Sequence, residues 1–321
     1  MKKRPGRGWR ASLREVLRNH NKGSAKGGKA SSYATQAKRA EILESSFRQL
    51  RSLGCKIEKV TNFRENHMRV LVKAWEESGL APATIQNKIS IFRVFSEWIG
   101  KPGMVRDSKL YVINPKSVQR HTYAETDKTW SGQNIDADSL IEKVAGFDKR
   151  VAIQLQLQQV FGLRMKEAAL LHPHAADRGN RLNVNWGTKG GRDRVVDIKT
   201  PEQRAILDKA KEFAKSLTDS LVPKEMKYIQ WRNHYYYVCK KAGISRKDGI
   251  TSHGLRHEQA NTRYEEITGE KSPIKGGDHS KVNPELHKLA MQEVAEELGH
   301  SRPDVSTAYL GSFGDNSPLK K

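Results

Sequence analysis

The residues with the most chemical potential lie in the second half of the chain. In Thr251-Ser252-His253-Gly254-Leu255-Arg256-His257-Glu258, His253 and Arg256 are three positions apart. On a helix they share a face, which suits a single phosphate. His253 and His257 have a possible metal-ligand spacing, but the second half of an H-E-x-x-H motif is missing after Glu258, so no metal is assigned. Upstream, Gly162-Leu163-Arg164-Met165-Lys166-Glu167 puts an arginine at a helix start and a glutamate three positions on, an ordinary pattern by itself. Lys189 stands in Thr188-Lys189-Gly190-Gly191, a glycine-rich turn that exposes it to solvent. Leu298-Gly299-His300 is followed by Tyr309, nine positions beyond the histidine. Tyr228, Trp231, Tyr235, Tyr236 and Tyr237 offer faces on which bases could stack. Their setting in a helical stretch favours core instead. No GxxxxGK[ST] loop is present, so no ATP site is expected.

Composition narrows what such residues could act on. The 321 residues suggest about two domains at roughly 150 residues each. Lys and Arg number 58 against 36 Asp and Glu, a net charge of +22. The isoelectric point is near 9.9 and the mean hydropathy is −0.74. That balance is the footprint of a polyanion binder. A ribosomal-type or membrane-surface protein shares it, and nucleic acid is the reading that fits best. No apolar run approaches the ~18 residues of a membrane span. Cys55 and Cys239 are too few for a disulfide framework or a four-cysteine zinc site, which points to a reducing setting. The first thirty residues carry ten basic side chains, among them Lys2, Lys3, Arg4, Arg7 and Arg10, and one acid, Glu15. With their glycines and serines they read as a flexible arm gripping a phosphate backbone. They lack the apolar h-region of a secretory signal and the amphipathic face of a transit peptide.

The elements that must position these residues follow from periodicity. Residues 34–54 predict a helix through Ile42, Phe47, Leu50 and Leu53, with Gly54 as its stop. A second starts near Asn62, with Glu65 as a capping-box partner, and carries Met68, Leu71, Val72 and Trp75. A third opens at Pro82 and buries Ile85, Ile89, Phe92, Phe95 and Ile99. Lys88 and Arg93 lie on its solvent face and could run along DNA. Periodicity then disappears. The expected organisation is therefore an arm over 1–30, a helical DNA-binding domain over 31–103, a linker over 104–134 and a second domain over 135–321. In that domain, residues 136–161 read as mostly helical up to Gly162. Leu182, Val184 and Trp186 alternate as a strand, and Arg194 to Ile198 returns as a second. Helices are expected over 202–217, 223–242 and onward from Thr251.

Taken together, Arg164 in GLRMKEAALL, Lys189 in the hairpin, His253 and Arg256 in HGLRH, His300 in LGH and Tyr309 in AYLG resemble the tyrosine recombinase (phage integrase) family, in its order. The nine-residue step from His300 to Tyr309 fits that family too, and the wording GTKGGR and HGLRHE suggests its mobile-element branch. The match covers about residues 136–313, and residues 34–100 resemble the family's SAM-like core-binding domain. The implied fold is mainly α with a small antiparallel sheet, a helical core-binding domain preceding the catalytic one. The implied reaction is site-specific DNA cleavage and rejoining without metal, ATP or other cofactor. Tyr309 attacks phosphorus and forms a 3′-phosphotyrosyl bond. Arg164 and Arg256 bind the non-bridging oxygens, with His253 and His300 adding hydrogen bonds. Lys189 protonates the leaving 5′ oxygen. Glu167, one turn from Arg164, orients it. The family also implies a double-stranded recombination site, a homotetramer on two duplexes, accessory DNA-bending or directionality factors, and a cytoplasmic, nucleoid-associated setting in a prokaryotic host. A type IB topoisomerase shares the chemistry, but the short helical amino-terminal domain and the LGH spacing favour a recombinase. A silent DNA-binding regulator is disfavoured by the presence of all six catalytic positions. One departure is length. His253 and His300 are 47 residues apart, about twenty more than the pattern needs, with the surplus placed at Gly269–Pro284 as a flexible loop, a partner-binding insertion or a regulatory element.

Overall fold

The structure, a computed structural model, describes residues 8–23, 30–119 and 122–314, leaving out the side chains of 116 and 117. The chain divides into two compact units, residues 1–121 and 122–321. Among the described residues, no helix is long and apolar enough to cross a membrane.

The first unit is a four-helix assembly: α1 (Trp9–His20), α2 (Tyr33–Ser52), α3 (Glu65–Glu77) and α4 (Pro82–Trp98). Phe47, Phe63, Phe92 and Phe95 meet at its centre, with Trp75 against them, and all five are buried. The start of α3 differs from expectation. Val60–Asn62 is a separate short turn, and the helix begins at Glu65, where Nδ1 of His67 accepts from Arg64 N at 2.9 Å. The amino-terminal expectation also changes. Residues 1–7 and 24–29 lie outside the described residues, but Trp9–His20 is helix rather than loose arm. Trp9, Leu13 and Val16 recur at four and three positions, form one apolar stripe and are buried; Trp9 stacks on Phe47 at 6.1 Å. That stripe supplies the apolar burial that the average composition of the segment hides.

The expected linker over 104–134 is not a free connector. Val105, Tyr111 and Val118 belong to the core of the first unit, whereas Ala124 and Trp130 are buried in the second. The division between units falls at 121/122, inside the stretch. It shows no helical period because it is built of short turns, at Ser108–Leu110, Pro115–Val118 and Ser131–Gln133. Their hydrogen bonds are local or made by side chains, as where Trp130 Nε1 donates to Thr251 O at 2.8 Å.

The second unit runs α5 (Ala137–Ala145), α6 (Lys149–Phe161), α7 (Met165–Leu170), α8 (Pro173–Ala176), β1 (Arg181–Val184), β2 (Arg194–Asp197), α9 (Pro201–Glu212), α10 (Tyr228–Ala242), α11 (His253–Thr268), α12 (Pro284–Glu297) and α13 (Thr307–Leu310). The single helical stretch expected over 136–161 is two helices, because Asp148 caps α6 through Arg150 N and Val151 N. α6 is buried on nearly every side and touches α5, α7, α9 and α11. Gly162 ends it at φ +59°, with Gln259 and Leu298 filling the space a side chain would need. β1 and β2 pair antiparallel, Leu182 opposite Val196 and Val184 opposite Arg194. On α10, Trp231 and Tyr235 are core while Tyr236 and Tyr237 face solvent. The protein is thus mainly helical with one small antiparallel sheet.

Candidate active site

Five structural pieces converge in the second unit. The start of α7 supplies Arg164 and Glu167. The inward face of β2 supplies Arg194. The first turn of α11 supplies His253, Arg256 and His257. The turn after α12 supplies the Leu298 carbonyl and His300, and α13 supplies Tyr309. Backbone requirements fix some of these approaches. Gly254 lies so close to Trp130 and the Lys128 carbonyl that an added Cβ would fall 2.6 Å from the indole. Gly299 adopts φ +68° and lies against the Arg194 side chain, which turns the chain so that His300 faces the cluster.

Glu167 is the hub. It is fully buried, and its carboxylate accepts from Arg194 Nη1 at 2.9 Å and Nη2 at 2.8 Å, a two-pronged pairing. It also accepts from Arg164 Nη1 at 2.6 Å and from the Arg164 backbone N at 2.7 Å. Arg256 Nη1 is 3.8 Å from the same carboxylate. Burial by itself would raise the carboxyl pKa. The hydrogen bonds and charge of Arg194, joined by Arg164 and Arg256, outweigh it and bring it down to about 2.

The two arginines meet at one carbonyl. Arg164 Nη2 donates to Leu298 O at 3.1 Å, and Arg256 Nη2 donates to the same oxygen. Arg256 Nη1 donates to Gly162 O, and Nε donates to Tyr309 Oη at 3.3 Å. Arg256 is wholly buried, which draws its pKa down to about 10 and leaves it charged at neutral pH. His300 Nε2 lies 3.4 Å from both Tyr309 Oη and Arg164 Nη2. Around the phenol ring stand His253, His257 and His300, with ring centroids 5.9, 4.8 and 5.8 Å away. All three imidazoles are held below the ordinary histidine value, His257 at about 3 and His300 at about 4. Desolvation is the first cause for each, and His253, Lys128 and Arg256 for His257, or Arg256, Arg164, Lys189 and Arg194 for His300, add to it. His253 keeps an exposed edge and shifts in the same direction through desolvation, Arg256 and Arg164. Neutral imidazoles beside permanent cations form a site shaped for an incoming anion.

The remaining expected residues are placed differently. Lys189 is exposed in the turn between β1 and β2 and makes no hydrogen bond or ion pair among the described residues, although its charge contributes to the shift of His300. In the first unit, Lys88 is half-buried with Nζ 4.5 Å from the Trp75 ring centroid, and Arg93 donates to Arg106 O at 2.8 Å. Both are engaged within the fold rather than standing free on a solvent face. Arg10 lies 4.7 Å from the Trp9 ring and 3.9 Å from Glu44. Lys2, Lys3, Arg4 and Arg7 lie outside the described residues. Sequence reasoning did not select Arg194 or His257 for the site. Arg194 carried one signal: it occupies the inward phase of a strand, where Val196 is its partner in alternation. The Gly269–Pro284 segment is not a loose loop. It contains turns at Pro273–Lys275 and His279–Lys281, with Ser272, Ile274 and Val282 buried, because it packs beside α11 and α13.

Comparison with known proteins identifies the family and the fold. Residues 118–262 match the family model described as Integrase, and residues 16–105 match that of Phage integrase, N-terminal. The two together take in most of the chain, and it belongs to the integrase family of tyrosine recombinases. Among solved structures, it is similar to a lambda integrase dimer bound to a COC′ core site, at 13% identity over 96% of this chain and 78% of that one, with a TM-score of 0.59. It is also similar to the Tn1549 transposon integrase in complex with circular intermediate DNA, at 14% identity, 95% and 97% coverage and a TM-score of 0.57. A third is the XerH site-specific recombinase bound to palindromic difH substrate, at 16% identity, 88% and 76% coverage and a TM-score of 0.52. At these identities the likeness is one of fold. No curated protein sequence matches the chain.

Proposed function

We propose that the protein is a site-specific DNA recombinase that cuts and rejoins strands through Tyr309, with no metal or ATP in the reaction. The observation that carries this is the Tyr309 phenol, 3.3 Å from Arg256 Nε and 3.4 Å from His300 Nε2, beside two arginines that share the Leu298 carbonyl. Tyr309 Oη forms a bond to phosphorus while the bond to the 5′ oxygen breaks. The departing oxygen takes a proton from Lys189, brought in by its turn, and leaves as a 5′-hydroxyl. Arg164, and Arg256 once the phosphate replaces its contacts to the Gly162 and Leu298 carbonyls, hold the non-bridging oxygens as charge grows on them, typically worth ~10²–10³ in rate per donor. Arg256 Nε also stabilises the forming phenolate. Burial and the neighbouring cations hold His300 at a pKa of about 4; a phosphate among those cations offsets their part of the depression, and at 3.4 Å from the phenol the imidazole is placed to take its proton. The 3′-phosphotyrosyl bond conserves the energy of the broken one, and attack by a 5′-hydroxyl from a second duplex reverses the step. Exchange between two duplexes calls for a tetramer on DNA, in keeping with the lambda integrase tetramer bound to a Holliday junction among the similar structures.

DNA that stays attached after denaturation of cells expressing the protein should identify the site by sequencing. A suicide half-site built from it should give a denaturant-resistant adduct with the parent chain. Tyr309→Phe should bind that half-site and give none. An adduct in the Phe variant would assign attack to another tyrosine. Tyr264 is poorly suited, since its buried hydroxyl lies 2.7 Å from His287 Nδ1 and desolvation pushes its pKa up to about 12.

A further inference from the structure

The surplus length between His253 and His300 reaches the site from behind. Ser272, 1% exposed, donates through Oγ to Asn261 Oδ1. With its oxygen so engaged, the buried Asn261 amide turns Nδ2 toward the backbone, donating to His257 O at 2.7 Å and to Tyr309 O at 3.3 Å. Two residues on, Ile274 is buried against Gly311, which has φ +78°; a Cβ on that glycine would lie 2.9 Å from Ile274 N. Ser272 and Ile274 therefore hold the chain at Tyr309 and just beyond it. The segment is itself anchored, because Lys275 Nζ donates to Thr129 Oγ1 at 2.7 Å and to Ser131 Oγ and lies within 3.5 Å of Asp127 and Glu258 carboxylates.

α13 needs such support. It is four residues long and continues the short turn Pro303–Ser306, and so short a helical stretch holds its geometry in water by packing rather than by its own hydrogen bonds. The phenol must nevertheless meet phosphorus in line, and a displacement of about 1 Å in such a reaction can lower the rate ~10²-fold. We propose that Ser272, Asn261 and Ile274 form a clasp that fixes the main chain of α13 and so sets the position of Tyr309 for attack. They touch the backbone rather than the phenol and are positioning residues. The inference rests on Tyr309 as nucleophile.

The test uses the full chain and the suicide half-site, comparing the parent with Ser272→Ala, Ile274→Ala and the conservative Ile274→Val. Three quantities are read: the DNA dissociation constant, the single-turnover rate of adduct formation at saturation, and the amplitude of that phase, which counts folded active protein. The alanine variants should lose ~10- to 100-fold in rate. Binding should stay within about twofold and the amplitude should hold, because the clasp lies behind the nucleophile, while Ile274→Val should recover most of the rate. Unchanged rates in both alanine variants overturn the clasp. So does a loss confined to binding or to amplitude in both, which would give the segment a general structural role. If the parent forms no adduct on Tyr309, the reading of the nucleophile fails. If the parent forms it and the alanine variants match it, that reading stands and the clasp alone falls.

Discussion

Replacing Glu167 by Gln keeps nearly the same shape and removes one charge from the centre of the site. The carboxylate is fully buried between Arg164, Arg194 and Arg256 and has its pKa brought from 4.5 down to about 2. That depression corresponds to roughly 3 kcal/mol of stability at neutral pH. The variant also leaves buried guanidinium groups facing one another without an anion, which places the expected loss at about 3–5 kcal/mol. The sign of the pH dependence follows. Because the folded pKa lies below the unfolded one, the contribution is complete above pH 4.5 and is lost as the pH falls toward 2. By pH 3 about 2 kcal/mol of it is gone. Urea unfolding suits the measurement, since guanidinium would screen the ion pairs. The parent and Glu167→Gln should differ by about 3–5 kcal/mol at pH 7, and the difference should shrink by about 2 kcal/mol on going to pH 3. Adduct formation by the folded variant should also fall ~10²-fold or more, since Arg164 loses the partner that aims it. A difference below about 1 kcal/mol at pH 7, or one that does not shrink on acidification, would refute the assignment of Glu167 as the counter-charge of the cluster.

Lys189→Ala should slow strand cleavage ~10²–10⁴-fold, and most of the loss should return on DNA whose scissile 5′-bridging oxygen is sulfur, because a thiolate departs without a proton. Equal losses on the two substrates would remove Lys189 from the acid role. Trp9→Ala should destabilise the first unit by ~3–5 kcal/mol and speed amide exchange along Trp9–His20 in particular. Unaltered exchange there would show that the stripe does not hold that helix.

Much of the fold was legible because its signals are local. The stripe through Ile85, Ile89, Phe92 and Phe95 has one phase, Pro82 opens it, and the whole helix can be read from its own residues. The hairpin was legible through the alternation of Leu182 and Val184. What was hidden depended on partners elsewhere or on short signals inside contrary composition. Trp9, Leu13 and Val16 are three apolar residues among many cations, and the aromatic cluster they complete, at Phe47, lies in another helix. Val105, Tyr111 and Val118 follow no period because each enters the core from a turn.

The same distinction explains the site. Arg164, Arg256 and Tyr309 could be named through motifs, each a few residues long, whereas Arg194 could not, since its partner Glu167 is 27 positions away. Yet Arg194 obeys a rule that can be applied to sequence. It occupies the inward phase of β2, level with Val184 across the ladder and in step with Val196. An arginine there keeps its charge, and burying that charge costs least opposite a buried anion. Such a position therefore calls for an acid among the apolar residues of an adjoining element, and Glu167, set between Met165 and Ala168-Ala169-Leu170, is an acid of that kind. Since Glu167 also holds Arg164, the strand that ends the Lys189 turn and the helix that carries Arg164 share one carboxylate. A change at either element is thereby felt at the other, which ties the proton donor of the proposed reaction to the group that binds its phosphate.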